Sequence, residues 1–265
     1  MSLDPIVLDA DNPGPMTGSG NNTYLLAGTE GAILVDAGVG RSRHLAAIDR
    51  QLGGSKLARV LVTHGHIDHV SGAPSIAARH PEATFAKFPW PDSDKLYDVR
   101  WQPLAEGDTV SLDGQSLTVI HTPGHSPDHA TFWHEETRSA FTGDLIIQGG
   151  SVVISWAYGG DVAAYLASLE RLIRLQPAVM FPAHGPLIED PVSALARSIE
   201  HRLEREQQVI QALREGRSTV PAIVESIYHG LDPALQAAAG GGVRAHLEKL
   251  KAERRAFSDG DRWNL

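Results

Sequence analysis

The chain contains no cysteine. Disulfides, thiolate zinc sites and cysteine nucleophiles are therefore excluded, and any metal must be held by nitrogen and oxygen donors. Long apolar runs are missing as well. Nowhere do the ~18 consecutive apolar residues of a spanning helix occur, and residues 1–15 show no basic stretch followed by an apolar one. The expectation is a soluble, cytoplasmic protein with no membrane partner. Positive charge is also scarce, with 23 Lys+Arg against 32 Asp+Glu. The deficit is one-sided: residues 1–191 carry 12 basic against 22 acidic residues, and residues 192–265 carry 11 against 10. Nucleic-acid affinity rests on neutralising phosphates with a basic surface, and this chain has little to spare. At 265 residues it is long enough for one large domain, or one domain and a small appendage, around a sizeable core.

What the sequence does have is a concentration of metal-capable side chains. His64-Gly65-His66-Ile67-Asp68-His69 follows the apolar stretch 59–63, where a strand gives way to a loop. Four such groups within six residues are hard to explain as packing, because each carries polar atoms that need partners when buried. Three more candidates recur in the same setting. His125 lies in Thr122-Pro123-Gly124-His125, Asp144 in Thr142-Gly143-Asp144, and His184 in Pro182-Ala183-His184-Gly185, each after a strand-like run and beside glycine or proline. A loop at a strand end on a rigid scaffold can aim a side chain at a shared point.

The run 64–69 matches H-x-H-x-D-H, and with His125, Asp144 and His184 the chain resembles the metallo-β-lactamase-fold hydrolases over roughly its first 190 residues. The resemblance implies an α/β fold, an αββα sandwich with metals at one edge. It implies that the equivalents of His64, His66 and His125 hold one metal, those of Asp68, His69 and His184 a second, and that of Asp144 bridges them. Two divalent metal ions follow, zinc first, with iron or manganese also suited to imidazole and carboxylate donors. A hydroxide bridging the two metals would be the nucleophile, formed near neutral pH. Asp68 gains a second, catalytic role in orienting that hydroxide, and Asp36 occupies the place of an acid that orients a ligating histidine. A turn-forming aspartate before Gly38 is the competing reading of Asp36. His129 is either a substrate or proton-transfer group or a residue bonded to a loop carbonyl. Asn22, Trp156 and Tyr158 fall on segments expected near the metal edge, although for the aromatics core packing or a homo-oligomer interface is the more frequent reason.

Strand-like runs at 23–27, 32–36, 59–63, 117–121, 130–133 and 140–142 alternate with helical patterns near 42–53, 68–80 and 161–175. After Pro191 the character changes: helices are expected at 198–213, 219–227, 233–238 and 243–252, then a hairpin in 255–265 around Asp259-Gly260. The division expected is a catalytic domain over 1–191 and a winged-helix-like module over 192–265. This tail resembles the module that ends bacterial relatives of the β-lactamase-like protein 2 endoribonucleases. Ala183 departs from the glycine usual before the last histidine. Arg244, Lys251 and Arg255 recur at offsets of 7 and 4 on one helix face, as a solvated face or a contact for nucleic acid or a partner. The leading expectation is thus a dinuclear metal-dependent hydrolase, with single-stranded RNA as substrate. A glyoxalase II-like thioester or lactone hydrolase is the alternative, and a ligand-sensing regulatory protein without turnover a third reading.

Overall fold

The computed structural model describes residues 3–265. Six strands form the first sheet, in the order β1 (Ile6–Asp9), β2 (Asn22–Leu26), β3 (Ala32–Val35), β4 (Leu57–Val62), β5 (Thr84–Lys87) and β6 (Trp101–Pro103). β7 (Thr109–Leu112), β8 (Gln115–His121), β9 (Ala130–His134), β10 (Ser139–Gly143) and β11 (Val179–Pro182) form the second, ordered β11-β10-β9-β8-β7. β3 to β6 run parallel, and so do β10 and β11; the other pairs are antiparallel.

Successive side chains on a strand point to opposite faces, and the core residues divide accordingly. Tyr24, Leu26, Ile33, Val35 and Leu61 pack between the sheets against Val119, Phe132 and Phe141. Their neighbours Leu25, Leu34, Val60 and Val62 pack outward, under Leu45 and Ile48 of α1 (Ser42–Leu52) and Ile76 of α3 (Ala73–Arg79). On the far side, Ile120, Trp133, Ala140 and Met180 meet Leu169 and Leu172 of α5 (Val162–Leu175) and Leu195 of α6 (Pro191–Arg214). Three apolar layers between four structural ones make the αββα sandwich.

The helical pattern at 68–80 resolves into two pieces, α2 (Ile67–Val70) and α3, because the chain turns at Ser71-Gly72, whose Gly72 N–H donates to the Gly38 carbonyl. α4 (Pro91–Asp94) follows β5. The 24 residues of α6 belong to two cores: Ala194 and Leu195 close the sandwich, while Val209, Ile210 and Leu213 pack with α7 (Val220–Ile227), α8 (Gln236–Ala252) and Trp263. Trp263 sits in the terminal hairpin of β12 (Phe257–Asp259) and β13 (Arg262–Asn264). The short helix expected at 233–238 is only a 3-10 turn at Pro233–Leu235, and α8 begins at Gln236, seven residues before Val243. Gly240-Gly241-Gly242 is helical here rather than a break. A Cβ on Gly241 would lie 2.2 Å from Ser155 Oγ, so glycine is what lets α8 pass this closely over the catalytic layer.

Candidate metal centre

All seven expected donors lie where strands end along one edge. β4 stops at Val62, leaving His64 and His66 in the following loop and Asp68 and His69 in α2. His125 follows β8, Asp144 follows β10 and His184 follows β11. The Ser93 hydroxyl donates to the Gly65 carbonyl at 2.9 Å and pins the first loop. Gly143 adopts φ 46°, and a Cβ there would meet Thr63 Oγ1 at 2.6 Å and His129 Nε2 at 2.9 Å, so only glycine turns the chain tightly enough to aim Asp144 inward.

The donors converge as two groups, His64, His66 and His125, then Asp68, His69, Asp144 and His184, each within 4.8 Å. In the first, His66 Nδ1 lies 3.1 Å from His64 Nε2 and 2.8 Å from His125 Nε2. In the second, Asp144 Oδ1 is 3.4 Å from His69 Nε2 and 3.2 Å from His184 Nε2, while Asp68 Oδ2 is 3.5 and 3.4 Å from the same nitrogens. Asp144 joins the groups, since its other oxygen, Oδ2, lies 3.6 Å from His125 Nε2.

Outer partners set which nitrogen of each ring points inward. His125 Nδ1 donates to the Val153 carbonyl at 2.8 Å. Thr63 gives its hydroxyl proton to Asp36 at 3.0 Å, so its oxygen accepts the His64 Nδ1–H at 3.1 Å. Asp36 Oδ2 accepts from His69 Nδ1 at 2.9 Å, and its Oδ1 accepts the Thr63 N–H at 2.8 Å. Asp36 thus orients a donor histidine, from a left-handed backbone, φ 64°, that aspartate tolerates.

Electrostatics divide along the same line. Burial lowers the His64, His66 and His125 pKa values, His125 to about 3, which favours neutral rings whose nitrogens point at one spot. In the second group burial is outweighed by carboxylates. Asp68, Asp144 and Asp36 hold His69 well above its ordinary value, and Asp144 and Asp68 raise His184 to about 10. Both carboxylates are lowered in turn, burial notwithstanding, by His69 and His184. One group offers lone pairs and the other demands positive charge, which is the donor chemistry that fits two divalent cations. Ring nitrogens about 2.0–2.1 Å from a tetrahedral ion stand about 3.3–3.4 Å apart, and the observed 2.8 and 3.1 Å need only a small spread to reach that.

Other expectations are redistributed. His129 is fully buried behind His64, with rings 5.2 Å apart and Nδ1 2.9 Å from Thr122 Oγ1, so its bond is to a hydroxyl rather than a loop carbonyl. Asn22 points away, donating to the Pro182 and Gly185 carbonyls. The neighbouring Asn21 takes its place: its Nδ2 donates to Asp68 Oδ2 at 3.0 Å and lies 3.3 Å from His69 Nε2. Strand alternation carries the site by one residue, and Asn12 fixes the amide from the other side at 2.7 Å. Tyr158 stands 6.0 Å from the His66 ring, opposite Trp90 at 6.2 Å. Trp156 is half-exposed beside α8 rather than at the metal edge. Lys87, buried against Asp128 at 2.8 Å, braces the His125 to His129 loop. Ala183 is buried, its N–H donating to Gly143, and its methyl leaves His184 with the other donors.

The expected cationic face lies only partly on α8: Arg244 and Lys251 belong to the helix, Arg255 follows its end at Ala252, and all three are at least partly exposed. Arg244 pairs with Glu248 and stacks on Trp263, Lys251 donates to Ser258, and Arg255 pairs with Glu206 and Glu253. These charges hold the carboxy-terminal module together.

Residues 16–184 match the Metallo-beta-lactamase superfamily. The chain belongs to that superfamily. Residues 219–263 match the Beta-lactamase associated winged helix domain, so the sandwich carries a carboxy-terminal winged helix. A Beta-lactamase-like protein 2 homolog of Drosophila melanogaster is 33% identical, over 91% of this chain and 86% of its own. An Atrochrysone carboxyl ACP thioesterase of Aspergillus chevalieri is 34% identical, over 84% of this chain and 72% of its own. A metallo-beta-lactamase family protein of Thermus thermophilus superposes with a TM-score of 0.83 at 23% identity, covering 98% of each chain. This metallo-beta-lactamase superfamily member is a hydrolase, and no helix among its described residues is long and apolar enough to cross a membrane.

Proposed function

We propose that this hydrolase is dinuclear and cleaves acyl thioesters. The observation that carries the dinuclear reading is the placement of Asp144, whose two oxygens face the two donor groups separately. His64, His66 and His125 would hold one divalent cation, and Asp68, His69 and His184 the other, with Asp144 common to both. When bound, such a pair supplies a water acidified to near-neutral pH and positive charge for the oxygen that becomes anionic. Zinc is the first choice for this donor set, iron or manganese the next.

The protein's own groups do the rest. Asp68, steadied by the Asn21 amide, presents a carboxylate kept ionised, which is suited to accept a proton from the attacking water and orient it. Asp36 and Val153 keep His69 and His125 in the tautomer that offers Nε2 inward. His129 fills the space behind His64 and positions it, having no route to a substrate.

The mouth of the site supports a thioester over RNA. Ile67 and Tyr158, 69% and 65% exposed, flank His66 and offer an apolar wall to an acyl group. A polyanion would need the opposite, and Arg244 and Arg255 in the tail are already paired with carboxylates. The relative named a thioesterase agrees. The test is to assay zinc-loaded protein against an acyl-N-acetylcysteamine thioester and a single-stranded RNA, with and without chelator. Chelator-sensitive thioester cleavage supports the reading. RNA cleavage without thioester cleavage overturns the substrate, and a folded chain that stays metal-free with zinc supplied overturns the dinuclear site.

A further inference from the structure

Arg202 on α6 is a buried cation, 7% exposed, and no carboxylate pairs with it among the described residues. One guanidinium nitrogen donates to the Val152 carbonyl, and the plane lies 5.7 Å from the Tyr165 ring centre. Its Nε is buried without a partner. Two other buried or half-buried cations are neutralised: Lys87 by Asp94 and Asp128, Lys249 by Glu206 and Glu253. A buried charge left unpaired is costly, and burial does pull the Arg202 pKa below the usual guanidinium value.

Arg202 opens into a cleft of about 480 Å³ between α6 and the loop after Asp144. Arg197, Ser198 and His201 line the same cleft from α6, facing Ser151 and Tyr165. Arg197 is exposed and also has no ion-pair partner among the described residues, and His201 Nδ1 is, after Arg202 Nε, a second buried nitrogen of this cleft without a partner. Glu204, one turn further along α6, is the acidic group whose field reaches His201. Ser198 and Tyr165 already give their hydroxyl protons to the Ala194 and Leu145 carbonyls, so the donors facing the opening are the two guanidinium groups with Ser151 beside them, and these match the terminal oxygens of a phosphate. Small-molecule sites fill roughly 300–1,000 Å³, so the cleft has room for atoms beyond the phosphate itself.

We propose that this cleft is a binding site for a terminal phosphate group, with Arg202 and Arg197 as its principal donors. It lies outside the seven-donor cluster but touches its support. Val152 gives its carbonyl to Arg202, and the next carbonyl, that of Val153, accepts from His125. A phosphate seated on Arg202 is thus one peptide unit from the group that orients a metal-facing histidine.

The test is calorimetric titration of the full chain, with and without zinc, using inorganic phosphate, glycerol 3-phosphate and succinate at fixed ionic strength. The expected result is millimolar or tighter binding of a phosphate probe, weakened about tenfold by Arg197→Ala, an exposed position whose loss leaves the fold intact. Arg202→Lys, which keeps charge and bulk but loses the fork, should weaken it too, with the circular dichroism spectrum unchanged. Equal binding of the two phosphate probes assigns the site to the free anion, and tighter binding of glycerol 3-phosphate assigns it to a phosphate carried on an organic body. No binding of either, succinate binding as tightly, or unchanged affinity in Arg197→Ala would overturn the proposal. The readout needs no turnover, so it stands or falls separately from the thioesterase reading.

Discussion

Replacing Asp144 with alanine should remove the second metal and most of the activity while leaving the fold standing. The magnitude follows from the neighbouring histidine. His184 is held at about 10 against an ordinary 6.5, and burial works against that rise. At about 1.4 kcal/mol per unit, the carboxylates give positive charge at this ring a preference on the order of 5 kcal/mol. Asp144 supplies the largest favourable part, by its charge and then by its hydrogen bond, ahead of Asp68. Taking about half of that preference as lost, a cation here is weakened by roughly 2–3 kcal/mol, on the order of 10²-fold in affinity. The first group keeps its three histidines, so the expected metal content falls from two toward one per chain. Turnover should drop on the order of 10²-fold or more, as it does when a principal electrostatic stabiliser is removed. The assay is elemental analysis of dialysed protein alongside initial rates, with circular dichroism to confirm folding. An Asp144→Ala protein that keeps two metals and near-normal rates would refute the argument.

Other outcomes follow from neighbouring groups. Asp36→Asn must turn an amide N–H toward either His69 Nδ1 or the Thr63 N–H, both of which now donate to the carboxylate; zinc affinity measured by chelator competition should fall about 10–100-fold. Carboxylates raise His69 well above the ordinary imidazole value and His184 to about 10 in the metal-free chain, so zinc loading near neutral pH should release protons from the site, read by calorimetry in buffers of different ionisation enthalpy. His246 is buried with both ring nitrogens unpartnered, and burial lowers its pKa to about 3. Its stabilising contribution is whole above about pH 6.5 and is lost as pH falls toward the folded value, because only the unfolded ring takes the proton in that window. His246→Leu should flatten the urea-midpoint profile between pH 7 and 5, recovering about 2 kcal/mol. Arg255→Glu places a like charge beside the buried Glu206, and should lower the melting temperature by an amount worth about 1 kcal/mol or more without changing kcat.

Which of these groups were visible in the sequence depends on how far apart their partners lie along the chain. His64 to His69 could be read directly, since metal-capable residues at short spacing carry their own explanation, and His125, Asp144 and His184 shared a recognisable setting at strand ends. The central strands were equally plain, being continuous apolar runs. β1, β6 and β7 escaped notice because edge strands are short and half-polar, β5 because it is only four residues long and ends on Lys87, and the first turns of α8 because a run of three glycines reads as a break until Ser155 is known to lie against it. Asn21 needed the strand register, which a one-residue shift inverts. The cations were misread for a related reason. Arg255 looked free because Glu206 stands 49 positions away, and Arg202 looked ordinary because nothing nearby in sequence says that it is buried. The group that offered the more regular charge pattern has two of its three members, Arg244 and Arg255, paired with carboxylates, and the buried Arg202, with no pattern at all, has none among the described residues. A segment's net charge therefore locates no binding surface in this protein. What locates one is the difference between the charges a segment carries and the charges the fold has already paired, and by that measure Arg202, buried on α6 with no carboxylate partner among the described residues, marks the surface against the loop that carries Val153.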